Sequence, residues 1–371
     1  MALSATSCQV PTVRTVGPGR AYAKPCQAIA AAVAGDIIEI DAAGNGTYDG
    51  DVCSWSKNNL TITGVNGRAH IDAAGRNSGG KAIWVIAGNN TVIRNVELSG
   101  ATVPDRNGAG IRLEGAGLTV QNSYFHDNEN GILTGANPAS DIVIESSEFA
   151  RNGYGDGYSH NMYIGAVRSF ILAYSYSHDA DVGHLVKSRA ATNYILYNRL
   201  TGQSGTGSYE LNLPNAGLSY VIGNVVQQGA PSQNSTMVSY GEEGVTHPSS
   251  QLYLVNNTFV NDKGTGSAVR VGSQVTASVL AQNNISTGSP TFVGQTGATL
   301  FTNCLTANPM FVNRSGFDYH LLSGAPCLDV GSAPGTGGGF PLTASMQYVY
   351  DLGRESRGVR GAAIDAGAFE R

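Results

Sequence analysis

Short strand-like alternations recur along most of the chain, each closing on a polar step of the form apolar-x-Asn. The step falls at Asn95, Asn122, Asn198, Asn224, Asn256 and Asn283, with Ser146 and Tyr174 filling the intervening places. Two residues before each step stand Ile93, Val120, Ile144, Leu172, Leu196, Ile222, Leu254 and Ala281, and four before stand Thr91, Leu118, Ile142, Phe170, Tyr194, Tyr220, Leu252 and Val279. Spacing by two is the alternation of a half-buried strand. One such strand per 24 to 32 residues predicts a solenoid, in which each turn buries its apolar face only against its neighbours. The stacked amides then satisfy one another and the bent backbone.

A second strand follows a variable loop in each repeat: Gly110-Ile-Arg-Leu-Glu, Gly131-Ile-Leu-Thr, His160-Asn-Met-Tyr-Ile, His184-Leu-Val-Lys-Ser, Tyr209-Glu-Leu-Asn-Leu, Thr236-Met-Val-Ser-Tyr and Ala268-Val-Arg-Val. At roughly 4.8 Å per turn, about ten turns make a rod about 50 Å long. Residues 25–34 begin with Pro25, are rich in alanine and stop before Gly35, which predicts a short helix. It would cover the open end of the stack and block edge pairing. The expected organisation is one domain over 1–371, with an N-terminal cap and first strands in 1–58, the turns in 59–304 and a C-terminal cap segment in 305–371.

Composition narrows the function. With 371 residues, a net charge of −5, 13% charged residues and no basic cluster, the chain lacks the grouped Lys and Arg that nucleic acid binding draws on. No apolar run approaches the roughly 18 residues of a membrane span. Cys8, Cys26, Cys53, Cys304 and Cys327 lie toward the two ends and show no metal-ligand spacing, so no metal site is expected. A clip such as Cys304 to Cys327 fits an exported protein, secreted or periplasmic. The first residues, Met1-Ala-Leu-Ser-Ala-Thr, lack the basic start and apolar stretch of a leader, which would precede them.

The opening Val16-Gly-Pro-Gly-Arg, Gly35-Asp-Ile-Ile-Glu-Ile and Leu60-Thr-Ile-Thr-Gly, the Asn steps, and the closing Asn308-Pro-Met-Phe-Val, Leu322-Ser-Gly-Ala-Pro-Cys-Leu-Asp-Val-Gly and Ile364-Asp-Ala-Gly-Ala-Phe-Glu together resemble right-handed parallel β-helix proteins of the pectate-lyase-like superfamily. The resemblance implies an all-β right-handed parallel β-helix. It leaves the activity open among lyases, hydrolases, epimerases, esterases and tailspikes.

Candidate chemistry gathers mid-chain, in Gly157-Tyr-Ser-His-Asn-Met-Tyr-Ile-Gly, Ser177-His-Asp-Ala-Asp-Val-Gly-His-Leu-Val-Lys-Ser-Arg and Ser208-Tyr-Glu-Leu-Asn-Leu. Their spacing places Met162, Val186 and Leu211 in one inward column, with Ile164, Ser188 and Leu213 in the next. The outward set is then Asn161 and Tyr163, Lys187 and Arg189, Glu210 and Asn212, with Tyr163, Lys187 and Asn212 stacked. The same register stacks His160, His184 and Tyr209 at the strand start.

Elimination from a 4-linked uronate needs a neutralised carboxylate, a base for the C5 proton and an acid for the leaving oxygen at C4. Arg189 is shaped for the first, Lys187 is the favoured base, and Tyr163, His160 or His184 is the acid. Asn161, His178, Tyr209, Glu210, Asn212 and Tyr240 are the expected substrate contacts, and Glu242, Glu243 and His247 could line one end of the groove. Val186-Lys-Ser is similar to the corresponding step of alginate-lyase-type sequences, but no Arg follows on the next turn and no Glu run precedes the lysine to hold the Ca2+ that such a lyase could carry. Glu210, beside Lys187 in this register, would raise the lysine pKa.

Asp156, Asp179, Asp181 and Glu210 offer a hydrolase pair instead, and a C5-epimerase would share the proton abstraction. A non-catalytic binding rod would use Tyr158, Tyr163 and Tyr209 as platforms. The overall expectation is a monomeric, carbohydrate-active enzyme for an acidic polysaccharide, most simply a polysaccharide lyase.

Overall fold

The computed structural model describes residues 10–44 and 46–371; Cys8 and the first residues considered as a leader lie outside them. Three parallel sheets, of 12, 10 and 10 strands, wind around a common apolar core. We call them sheets A, B and C in the order in which the chain meets them within a turn. Sheet A runs from Val13–Val16 to Thr299–Phe301, sheet B from Ala69–Asp72 to Cys304–Leu305, and sheet C from Cys53–Trp55 to Thr291–Gly294. The solenoid and its predicted number of turns are therefore present.

Inside, like stacks on like. Sheet A contributes the column Ile62, Ile93, Val120, Ile144, Leu172, Ile195, Val221, Leu254 and Ala281. Sheet B adds Phe125 on Phe149, with ring centroids 4.9 Å apart. The helix spans Pro25–Ala31, shorter than predicted, and Ala28 and Ile29 join the core at the first turn. Cys26 is bonded to Cys53, and Cys304 to Cys327.

The column corrects part of the predicted ladder. Leu196 and Ile222 were expected inward, yet Ile195 and Val221 occupy those places. Asn198 and Asn224 stand in the buried amide chain where the pattern placed them, whereas at the other six steps the inward position is the following residue. Asn95, Asn122, Ser146, Tyr174, Tyr197, Asn256 and Asn283 adopt positive φ at the corner, while the following residue turns its side chain inward. Asn198, Asn224, Asn257, Asn284 and Asn303 form the buried chain of amides, each donating from Nδ2 to the next Oδ1 at 2.9–3.0 Å. Asn serves both columns, because it tolerates the left-handed conformation and also carries a donor and an acceptor.

This shift leaves Tyr194, Tyr220 and Tyr253 stacked on the outside of sheet A, where residues of the C-terminal segment cover them. Phe340 packs on Tyr194 and Tyr220, and Leu342 joins the same cluster. The Tyr220 hydroxyl donates to Gly337 O at 3.1 Å. The segment after residue 305, expected as an end cap, thus runs back along the flank of the coil. Leu300 and Phe301 on the last strand of sheet A stay exposed.

Candidate functional site

On sheet C, Met162–Ile164, Lys187–Ser188 and Leu211–Leu213 lie side by side. Tyr163 pairs with Lys187, and Lys187 with Asn212, so the predicted column forms. Met162, Val186, Leu211, Ile164, Ser188 and Leu213 are all fully buried beneath it. Alternation then turns Tyr163 and Lys187 outward.

The Lys187 ammonium sits 5.3 Å from the centroid of the Tyr163 ring, and the Arg189 guanidinium 5.9 Å from it. Arg189 Nε donates to the Tyr163 hydroxyl at 2.9 Å, Nη1 donates to Asn215 Oδ1, and Nη2 donates to Glu243 Oε2 at 2.6 Å. Glu243 Oε1 lies 3.9 Å from Lys187 Nζ. His247 Nε2 donates to Arg189 O at 3.1 Å and ties the loop that carries Glu243 back onto the strand. Beside this group, Glu242 pairs with Arg270 at 2.6 Å and accepts from the Tyr209 hydroxyl at 3.4 Å.

Burial lowers the Lys187 pKa and the Arg189 charge adds to that lowering, while Glu243 opposes it; the net direction is downward. The lysine side chain keeps 15% of its surface open. A partly desolvated ammonium beside a guanidinium is biased toward its neutral form.

Two expected partners take a different role. His160 and His184 stack with centroids 4.5 Å apart. His160 Nδ1 accepts the His184 N–H and His184 Nδ1 accepts the Tyr209 N–H, so both rings are held as the Nε2–H tautomer. Burial first, then the nearby positive charges, holds His160 well below the usual imidazole range and His184 at about 3. These neutral rings carry no exchangeable charge near pH 7 and act as braces of the strand start.

Asn161, Glu210 and Tyr240 were expected outward and are buried. Asn161 and Glu210 stand at the corner where a strand of sheet C begins and two successive residues face the interior, whereas Tyr240 ends its strand in register with the inward Leu213. Asn161 donates to Phe149 O, Ser177 Oγ and His178 O. The Tyr240 hydroxyl donates to Gly217 O. Glu210 has a buried Oε2 without a partner, and burial raises its pKa well above the usual carboxylate range. The carboxylate beside Lys187 is Glu243, not Glu210.

His178 lies on sheet B, paired with Glu148 and Asp179. Asp179 accepts from Ser204 N and Asp181 from Thr206 Oγ1, each a contact to the next turn of the coil. With Glu210 inside the coil, it cannot serve in the expected hydrolase pair. Asn215, in the turn after the strand Leu211–Leu213, was missed, since turn residues follow no repeat.

A concavity of about 660 Å³ opens elsewhere, between sheet B and the C-terminal segment. Its Arg199 guanidinium is hemmed by Tyr176, Phe317 and Tyr350 at 4.9–5.4 Å. That ring of aromatics closes off the cation, whereas Lys187 stands on an open face.

Stacked parallel strands around one core define a right-handed parallel β-helix. A family model described as the right handed beta helix region matches residues 50–226. Among solved structures, the chain is similar to the crystal structure of pectate lyase Pel9A, at 15% identity and a TM-score of 0.66 over 98% of this chain and 97% of that one. No curated protein matches the sequence significantly. The structural likeness carries the fold alone.

Proposed function

We propose that this protein is a polysaccharide lyase that cleaves a uronate-containing polymer by β-elimination on the outer face of sheet C. The observation that carries the reading is Lys187, desolvated, lowered in pKa, set over Tyr163 and beside Arg189. Lys187 takes the C5 proton, the bond from C4 to the leaving oxygen breaks as the C4–C5 double bond forms, and Tyr163 returns a proton to that oxygen. Arg189 neutralises the carboxylate once Glu243 yields its place, a fork-to-carboxylate exchange that keeps the charge count constant. The two disulfides accord with an exported protein, and among the described residues no helix is long and apolar enough to cross a membrane.

The test is turnover on a panel of uronate polymers, following the ultraviolet absorbance of unsaturated ends together with reducing ends. Both signals rising in step are expected. Reducing ends alone would replace the proposal with hydrolysis, and neither signal with retained binding would point to epimerisation or to a binding rod.

A further inference from the structure

We infer that His70, Glu97 and His126, on the outer face of sheet B, form a binding site for one divalent transition metal ion such as Zn2+. The three come from adjacent turns: His70 pairs with Glu97 in register, and His126 lies diagonally across on the next strand. One donor atom from each falls within 4.8 Å of the others. His126 Nε2 is 3.0 Å from Glu97 Oε1, and His70 Nδ1 is 3.7 Å from the same oxygen. A tetrahedral ion with ligands at about 2.0–2.2 Å holds its donors about 3.3–3.5 Å apart, so small rotations of these side chains suffice.

The hydrogen bonds behind the triad strengthen the assignment. Ser99 Oγ donates to Asp72 Oδ2, so it accepts from His70 Nε2 at 2.7 Å, which leaves the His70 Nδ1 lone pair facing Glu97. His126 Nδ1 donates to Asp127 Oδ2 at 2.6 Å, and Asp127 is itself held by Arg151. His126 Nε2 therefore faces Glu97 Oε1, as an N–H donor when the ring is protonated and with a free lone pair when it is neutral. An ion bound between the two rings and Glu97 would take the place of the proton that His126 shares with that carboxylate, and each ring donates its other N–H to an oxygen partner, as metal-bound histidines do. Thr47 Oγ1, 3.4 Å from His70 Nδ1, is the group that an ion would displace. All three ligands remain partly exposed, which leaves a route in and an open coordination position.

The protein contains its own control. Tyr124-Phe-His126-Asp127 recurs as Tyr176-Ser-His178-Asp179. His178 repeats both contacts, with Glu148 at 3.2 Å and Asp179 at 2.7 Å. At the place that corresponds to His70 this second set has Tyr124, which pairs with Glu148. It lacks a second imidazole and is not expected to bind.

The experiment is titration of chelator-stripped protein with Zn2+ by calorimetry and with Co2+ by visible absorption, with circular dichroism as the check on folding. One equivalent is expected to bind. His70→Ala and His126→Ala should each abolish the Co2+ bands, Asp127→Asn should weaken binding about 10- to 100-fold, and His178→Ala should leave it unchanged. Absence of binding in the natural chain, binding undiminished in folded His70→Ala and His126→Ala variants, or loss of binding in His178→Ala would each overturn the inference.

Discussion

Glu243 grips Arg189 through a 2.6 Å contact between Oε2 and Nη2, and its other oxygen faces Lys187 at 3.9 Å. One exposed carboxylate thus occupies the place in which a uronate carboxylate would sit, and it also holds up the lysine pKa against burial. Replacing it separates those two roles.

Glu243→Gln should lower KM, because the Arg189 fork is no longer contested by a charged rival. It should also shift the ascending, acid-side limb of the pH profile. A lysine base works deprotonated, and loss of a neighbouring negative charge lowers its pKa, so the limb moves toward lower pH by a few tenths of a unit up to about one unit. The profile of kcat/KM against pH decides it. A limb that stays in place, or moves upward, excludes Lys187 as the titrating base.

Lys187→Ala should reduce turnover by about 10²- to 10⁴-fold, the usual worth of a positioned base. Lys187→Arg keeps the charge but cannot shed its proton at working pH. It should be as inactive as the alanine variant, with the circular dichroism of the coil unchanged in both. Substantial activity in the arginine variant would mean that Lys187 supplies charge alone.

Glu210 is an internal liability. Its carboxyl pKa is raised by burial, so the folded chain holds a proton that the unfolded chain releases above about pH 4.3. Between the unfolded and folded values, stability falls as pH rises. Glu210→Gln cannot ionise and should remove that slope. Urea midpoints at pH 5 and pH 8 should converge in the variant, and a slope as steep as in the natural chain would refute this account.

The two amide columns should differ in their sensitivity to substitution. Asn257 is buried and donates to Val221 O and Asn284 Oδ1 while accepting from Asn224 N–H. Asn257→Ala orphans several interior groups and should cost about 2–4 kcal/mol. Asn122 sits at an exposed left-handed corner, and Asn122→Ala should cost about 1–2 kcal/mol. Chemical denaturation of the two variants measures the difference, and equal losses would contradict the one-residue offset between the columns.

Much of this site was legible in the repeat. Spacings of 24 and 25 residues brought Tyr163, Lys187 and Asn212 into register, because parallel stacking fixes which residues meet once the loops are subtracted. The same rule misplaced Asn161 and Glu210. They stand where strands begin, and a corner turns consecutive residues inward. Asn215 and the grip of Glu243 on Arg189 come from turns and loops, whose paths no periodicity describes. His70, Glu97 and His126 also follow the repeat, and the doubled Tyr-x-His-Asp motif was a visible signal. It required the register of a different sheet to show that one copy has a second histidine beside it and the other has none.

The sequence by itself determined the solenoid, its apolar columns, the capping helix and the clustering of basic residues on adjacent turns, since all of these follow from side-chain alternation and a repeat that stacks upon itself. Only the tertiary structure decided which of two adjacent amide columns is buried, that the C-terminal segment runs along the coil instead of across its end, and that Glu243 rather than Glu210 meets Lys187. Those outcomes depend on corners and loops, where the direction of a side chain is set by the path of the backbone and not by its place in a pattern.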